Sequence, residues 1–177
     1  FTDKVVPIGE WNGLVGEVST LVMSADISIV VGVAELHQYA GISSGYKGVV
    51  VGCGGRRTIS GLHSRQQVLA PGVCVGQIKD NPFRAAIDEL GKLTNCHFAL
   101  VYIPACEQWA FGHPKSVIDK VASSLSPWEW VDKKYSKAIV RVPDCKTSSL
   151  YQASRAASYL GLSPHPPLED GAQIIIE

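Results

Sequence analysis

Ile27-Ser28-Ile29-Val30-Val31 is a β-branched run, and glycine-rich sequence from Gly41 to Gly55 follows it. Branched side chains pack well on a pleated backbone, so the run reads as a buried strand and the glycine-rich stretch as a loop beyond its carboxyl end. Upstream, Lys4 to Ile8 reads as a short strand, and Leu14 to Ala25 as a strand turning into a short helix. Downstream, Thr58 to Gln67 reads as a helix carrying His63. Asn81-Pro82 gives an N-cap followed by proline at the first helical position, which predicts a helix to about Leu93. His97 to Ile103 is a strand with Gln108 to Phe111 as its partner, and His113-Pro114 opens a helix through Val117, Ile118 and Val121 at helical spacing.

Past a proline- and tryptophan-containing stretch, Ser126 to Lys134, the alternation resumes. Lys137 to Val142 reads as a strand, Ser148 to Tyr159 as a helix, Ser163 to Asp170 as a proline-rich loop and Ala172 to Ile176 as a strand. Alternating strands and helices predict an α/β fold: a Rossmann-like, mostly parallel sheet with flanking helices over residues 1–125, then the start of a second α/β unit over 126–177. Ligands of such sheets sit beyond the carboxyl ends of the strands, where the Gly41–Gly55 loop falls. Because the chain ends on Ile174-Ile175-Ile176-Glu177, it reads as part of a longer protein.

The bulk composition narrows the function. Of 177 residues, 46% are hydrophobic and 18% charged, which is ordinary for a packed core. Lys plus Arg balances Asp plus Glu at 16 each, so no electrostatic case exists for nucleic acid or an anionic membrane as partner. The longest apolar stretch, Ile27 to Ala34, is far short of a membrane span, and Phe1-Thr2-Asp3-Lys4 is not a secretory signal. A cytoplasmic location is expected. The cysteine count of five is odd and offers no Cys-x-x-Cys pair, which points to free thiols rather than to a disulfide framework or a thiolate zinc site.

Chemistry concentrates in Glu35-Leu36-His37-Gln38-Tyr39-Ala40-Gly41-Ile42-Ser43-Ser44-Gly45-Tyr46-Lys47-Gly48, continuing through Gly52 to Leu62-His63-Ser64. Glycines let backbone approach a phosphate or a ring. Lysine supplies a positive charge or a covalent amine, and histidine a metal ligand or a proton shuttle. The bland alternative is a solvated histidine beside an ordinary turn. A phosphate-binding loop is the nearest rival, but Gly41 to Gly48 departs from G-x-x-x-x-G-K-[ST] three times. The glycine spacing is one short, Tyr46 separates Gly45 from Lys47, and Gly48 stands where a hydroxyl should bind magnesium.

The same residues resemble the cofactor-attachment region of the nickel-pincer lactate racemase family. Its pattern is of the type E-x-H-x-[FY]-A-G-x-S-x-G-x-K, then a glycine turn and N-H-S. This chain offers Glu35, His37, Tyr39, Ala40, Gly41, Ser43, Gly45 and Lys47, then Leu62-His63-Ser64, without a gap. Val6 to Gly9, Ala25 to Ile27, Gly76 to Pro82 and Tyr151 to Ala153 resemble flanking segments, so the likeness covers most of this chain and the middle of a family member.

The resemblance implies an isomerase that racemises or epimerises a small 2-hydroxy acid by proton-coupled hydride transfer. Its cofactor is a nickel-pincer nucleotide, pyridinium-3,5-bisthiocarboxylic acid mononucleotide, made by separate cofactor-making enzymes and tethered to the lysine matching Lys47. Carried over, His37 is an acid/base and His63 the nickel ligand. Ser43, Gly45 and Tyr151 join Lys47 in holding the cofactor, while Gln152 and Arg155 bind substrate. Soft ligands with an imidazole in a planar set suit nickel. Arg155 stands where the family has a lysine, and a guanidinium can also bind a carboxylate. Cys53, in the unusual turn Gly52-Cys53-Gly54-Gly55, departs from the family and allows another substrate. The family's second acid/base histidine and an Asp/Arg group lie upstream of its matching region and have no counterpart here. The rival reading is therefore a non-catalytic cofactor- or nucleotide-binding α/β module, a fragment or a degenerate homologue.

Other residues have plainer readings. Cys53 is a small turn residue, His97 and His165 are structural or exposed, and His113 is a helix entry. Asp80, Asp88 and Glu89 flank a helix start. Arg56 and Arg57 are equally cofactor-phosphate ligands or plain surface, and Trp109, Trp128 and Trp130 are seam-packing aromatics.

Overall fold

The computed structural model describes residues 4–125, 131–161, 163 and 165–177, apart from the side chains of Cys145 and Lys146. The expected boundary tryptophans Trp128 and Trp130 lie outside the described residues. The chain divides into two compact units, Phe1–Ser126 and Pro127–Glu177.

The first unit opens with a hairpin, β1 (Val5–Trp11) antiparallel to β2 (Leu14–Ser19), with Trp11 opposite Leu14. Its turn is Asn12-Gly13, with φ of 46° and 79°. Two positive φ values in a two-residue loop match the right-handed twist of the strands, and Asn-Gly is the pair that tolerates them. The Ser19 hydroxyl then accepts the Leu21 N–H at 3.3 Å and caps α1 (Thr20–Ser24), giving the strand-then-helix reading of this stretch.

A three-stranded sheet follows in the order β3 (Ser28–Val33), β6 (Cys96–Ile103), β7 (Gln108–Gly112). β3 runs parallel to β6, and β7 pairs antiparallel with β6 through a tight connection. Helix α6 (Pro114–Ser124) covers one face, burying Val117, Ile118 and Val121 against Ala99, Val101, Ile103 and Ala110. β3 is not the buried strand that its composition suggested. Ile29, Val31 and Val33 are exposed on the other face, in register with Phe98, Leu100 and Tyr102. A β-branched run marks a strand but does not say whether both of its faces are covered.

The expected Gly41–Gly55 loop also contains structure. Gly41–Ile42 forms β5, paired with β4 (Leu36–His37), and Lys47–Val50 forms one turn of helix, α2. Val49 and Val50 enter a core with Phe83, Ile87 and Leu90 of α5 (Pro82–Lys92) and with Leu62 of α3 (Arg56–Leu62). Full burial of each large side chain contributes about 1.5–3 kcal/mol, so this cluster anchors the site-bearing segment. The predicted helix over Thr58–Gln67 is broken: α3 ends at Leu62, and Ser64 caps a separate turn, α4 (Arg65–Val68).

The second unit pairs β8 (Tyr135–Val140) parallel to β9 (Leu168–Ile176), with α7 (Asp144–Thr147) and α8 (Leu150–Gly161) between them. β9 begins inside the segment expected to be a proline-rich loop, with Tyr135 opposite Leu168. The α/β reading holds, with parallel pairing at β3–β6 and β8–β9 and antiparallel hairpins beside them.

Candidate functional site

His37 ends β4 and is buried, with 6% of its surface exposed. Its Nδ1 accepts the backbone N–H of Tyr39 at 3.3 Å and of Ala40 at 3.1 Å. An amide can only donate, so Nδ1 carries no proton here and the proton of the neutral ring lies on Nε2. His63, just past α3, shows the opposite pattern. Its Nδ1 lies 2.9 Å from the Ile59 carbonyl, which can only accept, so Nδ1–H donates and the neutral Nε2 keeps its lone pair.

Tyr39 stands between the two histidines. Its ring is in edge contact with His37 at 6.2 Å and with His63 at 5.9 Å, and Phe83 touches both Tyr39 and His63. The structure thus brings His37 and His63 onto one aromatic cluster, although 26 positions separate them in sequence.

Lys47, half-buried, is the first residue of α2 rather than a loop residue. Ser43, also half-buried, is tied by its N–H to the Glu35 carbonyl at 2.6 Å. Gly45 has a φ of 62°, and an added Cβ would lie 2.6 Å from Ile118 Cγ1. Packing against α6 therefore explains this glycine without any ligand. The neighbouring Ser44 is buried with a φ of 111°, and its Oγ has no hydrogen-bond partner. Tyr46 is buried as well, its hydroxyl 3.1 Å from Nε2 of His113. Burial, then Cys96 and Asp88, push the Tyr46 phenol above its ordinary range.

Sequence reasoning missed the polar spine beneath this segment. Arg84, 2% exposed on α5, donates from Nε to the Ala40 carbonyl at 3.1 Å and from its terminal nitrogens to the carbonyls of Ser44 at 3.4 Å and of Ile42. Asp88, one turn on, pairs with it at 3.6 Å. Burial lowers the Arg84 pKa and raises that of Asp88, so desolvation outweighs the attraction between them on both partners. Asn81, read as a helix cap, does more. Its Oδ1 accepts the Arg84 N–H at 3.0 Å, while Nδ2 donates to the carbonyls of Tyr39 at 2.8 Å and Gln77 at 2.9 Å. The available signal was an opposite-charge pair four apart on a helix, Arg84 and Asp88, within an apolar stripe.

The remaining candidates lie on α8 of the second unit. Tyr151 and Gln152 are exposed. Arg155 donates to the Tyr159 hydroxyl at 2.6 Å, with its guanidinium 5.6 Å from that ring's centre. Of the other residues weighed, Arg57 pairs with Glu17 at 3.5 Å while 67% exposed, and Asp88 lies well inside α5 rather than at its start. Cys53, Cys74, Cys96 and Cys106 are free thiols. Among the described residues, no group of three or more His, Cys, Asp or Glu could hold a metal ion. No described helix is long and apolar enough to cross a membrane.

These features define an α/β domain that presents a lysine and two histidines of opposite tautomer on one short segment and its supporting helix. Residues 2–72 match the model of the lactate racemase N-terminal domain, and the Glu35–Ser64 pattern lies within the matched stretch. The fold is similar to that of the lactate racemase apoprotein from Thermoanaerobacterium thermosaccharolyticum, at 22% identity and a TM-score of 0.79 over 97% of this chain and 42% of that one. It is also similar to a structural-genomics protein from Thermotoga maritima, at 17% identity and a TM-score of 0.77 over 98% of this chain and 48% of that one. The chain spans less than half the length of these solved structures. No curated protein matches it in sequence.

Proposed function

We propose that this chain is the cofactor-bearing part of a racemase or epimerase acting on a small 2-hydroxy acid, with a nickel-pincer nucleotide tethered to Lys47. The observation that carries the reading is the pair of histidines on Tyr39, since His63 keeps an unprotonated Nε2 beside a segment that also bears a half-buried lysine. An imidazole oriented through Nδ1–H to a backbone carbonyl is the usual arrangement of a metal-ligating histidine.

When bound, such a group supplies a hydride acceptor and a Lewis-acidic nickel held by soft atoms. The chain's own residues do the rest. Lys47 would offer the amine for attachment, and His63, whose Nδ1 is bonded to the Ile59 carbonyl, would offer Nε2 to the metal. His37 would serve as the proton-transfer group toward the substrate oxygen. Ser43 and the unpartnered Ser44 hydroxyl would offer polar contacts on the segment that bears Lys47, and the resemblance adds Tyr151 as a cofactor-binding residue. The resemblance further gives Gln152 and Arg155 as substrate-binding groups, and a guanidinium can bind a carboxylate through two parallel hydrogen bonds. The partners are the hydroxy acid and the cofactor-making enzymes, and the site of action is the cytoplasm.

Co-expression with cofactor-making enzymes, followed by intact mass and nickel content, tests this. An adduct on the Lys47 peptide with bound nickel is expected. An unmodified, metal-free Lys47 under conditions that load a lactate racemase refutes it. One other reading is a cofactor- or nucleotide-binding module without catalysis of its own. A loaded chain that does not interconvert the enantiomers of any 2-hydroxy acid tried would support that reading.

A further inference from the structure

The geometry points to Asn81 as a positioning residue that fixes which nitrogen of His37 carries the proton, acting through the Tyr39–Ala40 peptide group. That peptide is held at both ends. Its carbonyl, on Tyr39, accepts from Asn81 Nδ2 at 2.8 Å, and its N–H, on Ala40, donates to His37 Nδ1 at 3.1 Å. Hydrogen bonds in such a chain polarise one another, so a donor on the carbonyl strengthens the N–H as a donor. The next carbonyl, Ala40, accepts from buried Arg84 at 3.1 Å, and Arg84's own N–H is held by Asn81 Oδ1. Asn81 is itself 2% exposed, so its amide has little water to turn to.

The consequence is chemical. With Nδ1 occupied by the N–H groups of Tyr39 and Ala40, His37 presents N–H at Nε2. Accepting a proton at Nε2 in the neutral ring requires the other tautomer, which breaks both backbone bonds. If the proposed function holds, on which this step rests, His37 meets the substrate oxygen first as a hydrogen-bond donor. His63, with the opposite tautomer, is left as the lone-pair ligand. The two tautomers are thereby set by backbone geometry before any ligand arrives.

The test is two-bond proton–nitrogen NMR of histidine-labelled, unmodified, metal-free protein at about pH 8.5, where an ordinary imidazole is neutral. His37→Gln and His63→Gln assign the signals. The expected result is a protonated Nε2 with a pyridine-like Nδ1 for His37 and the reverse for His63. Asn81→Ser keeps a helix-capping hydroxyl but cannot reach the Tyr39 carbonyl, and should shift His37 toward a mixture of tautomers while leaving His63 unchanged. Asn81→Asp, which also caps but has no donor, gives the same reading should the serine variant not fold. A wild-type His37 protonated on Nδ1, or an unchanged His37 tautomer in the folded variants, overturns the inference. Because the readout needs no cofactor, its outcome is separate from whether Lys47 is ever modified.

Discussion

Replacing Arg84 with methionine should cost the first unit about 4 kcal/mol. The substitution roughly keeps the side chain's length and apolar stem but removes the Arg84 donors from three backbone carbonyls, those of Ala40, Ile42 and Ser44, of which Ala40 keeps the Ile42 N–H at 2.8 Å. It also strands Asp88, which has little exposed surface and whose Oδ1 already lacks a hydrogen-bond partner. Breaking a buried ion pair from one side costs about 3–5 kcal/mol, and each buried acceptor left unpaired about 1–3 kcal/mol. Protonation of the stranded carboxyl and partial solvation of the loosened loop relieve part of that, which brings the sum to about 4 kcal/mol, near a thousandfold in the folded-to-unfolded ratio. Because the chain has two units, a single unfolding curve would mix them. Hydrogen exchange of the central-strand amides of Val101 and Ile103 reads the first unit alone. Adding Asp88→Asn to Arg84→Met should recover about 1–2 kcal/mol by removing the stranded charge. An Arg84→Met loss below about 1 kcal/mol, with no recovery in the double variant, would refute the view that this buried guanidinium holds the segment.

His63→Gln should abolish nickel retention in co-expressed protein while leaving any Lys47 adduct in place, read by metal analysis and peptide mass together. Gly45→Ala should destabilise the first unit by about 1–3 kcal/mol, since the φ is left-handed and the new methyl meets Ile118; exchange protection reads it. Asp88 has a folded pKa raised by burial above its ordinary value, so the neutral acid is favoured in the fold. Its contribution is fully present below the unfolded pKa and is lost as pH rises through the folded one. Stability measured from about pH 4 upward should therefore decline, and Asp88→Asn should flatten that part of the profile.

What the sequence made legible follows a physical line. Long elements with their own signals came through: the Asn81-Pro82 helix start, the His97–Ile103 strand with its Gln108–Phe111 partner, and the helix after His113-Pro114. Short elements did not. α2 is a single turn, too brief to show a helical period, and it exists because Val49 and Val50 are buried by α5, a contact far away in sequence. The break between α3 and α4 was marked in plain view by Ser64, whose hydroxyl accepts the Gln67 N–H at 3.4 Å. A serine inside an apparent helix is an N-cap candidate, and so was the signal that one helix is two. The Asn12-Gly13 hairpin carried an equally readable turn.

The site divides the same way. Residue types and spacing pointed to His37, Lys47 and His63, because chemistry selects side chains and a motif records them in order. Tautomers cannot be read from a motif, since each depends on a partner that is a backbone group. His63 receives its partner from Ile59, four residues back in its own helix, which a helical reading of this stretch contains in principle. His37 receives its partners from Tyr39 and Ala40, whose amides turn toward the ring only because the chain reverses there between β4 and β5. That reversal is held in turn by Asn81 and Arg84, some forty residues away. An asparagine before a proline reads as a helix cap, and it is one. Its second hydrogen-bonding end appears only when the fold brings the Tyr39 carbonyl within 2.8 Å, so one residue ties the start of a helix to the protonation of a histidine.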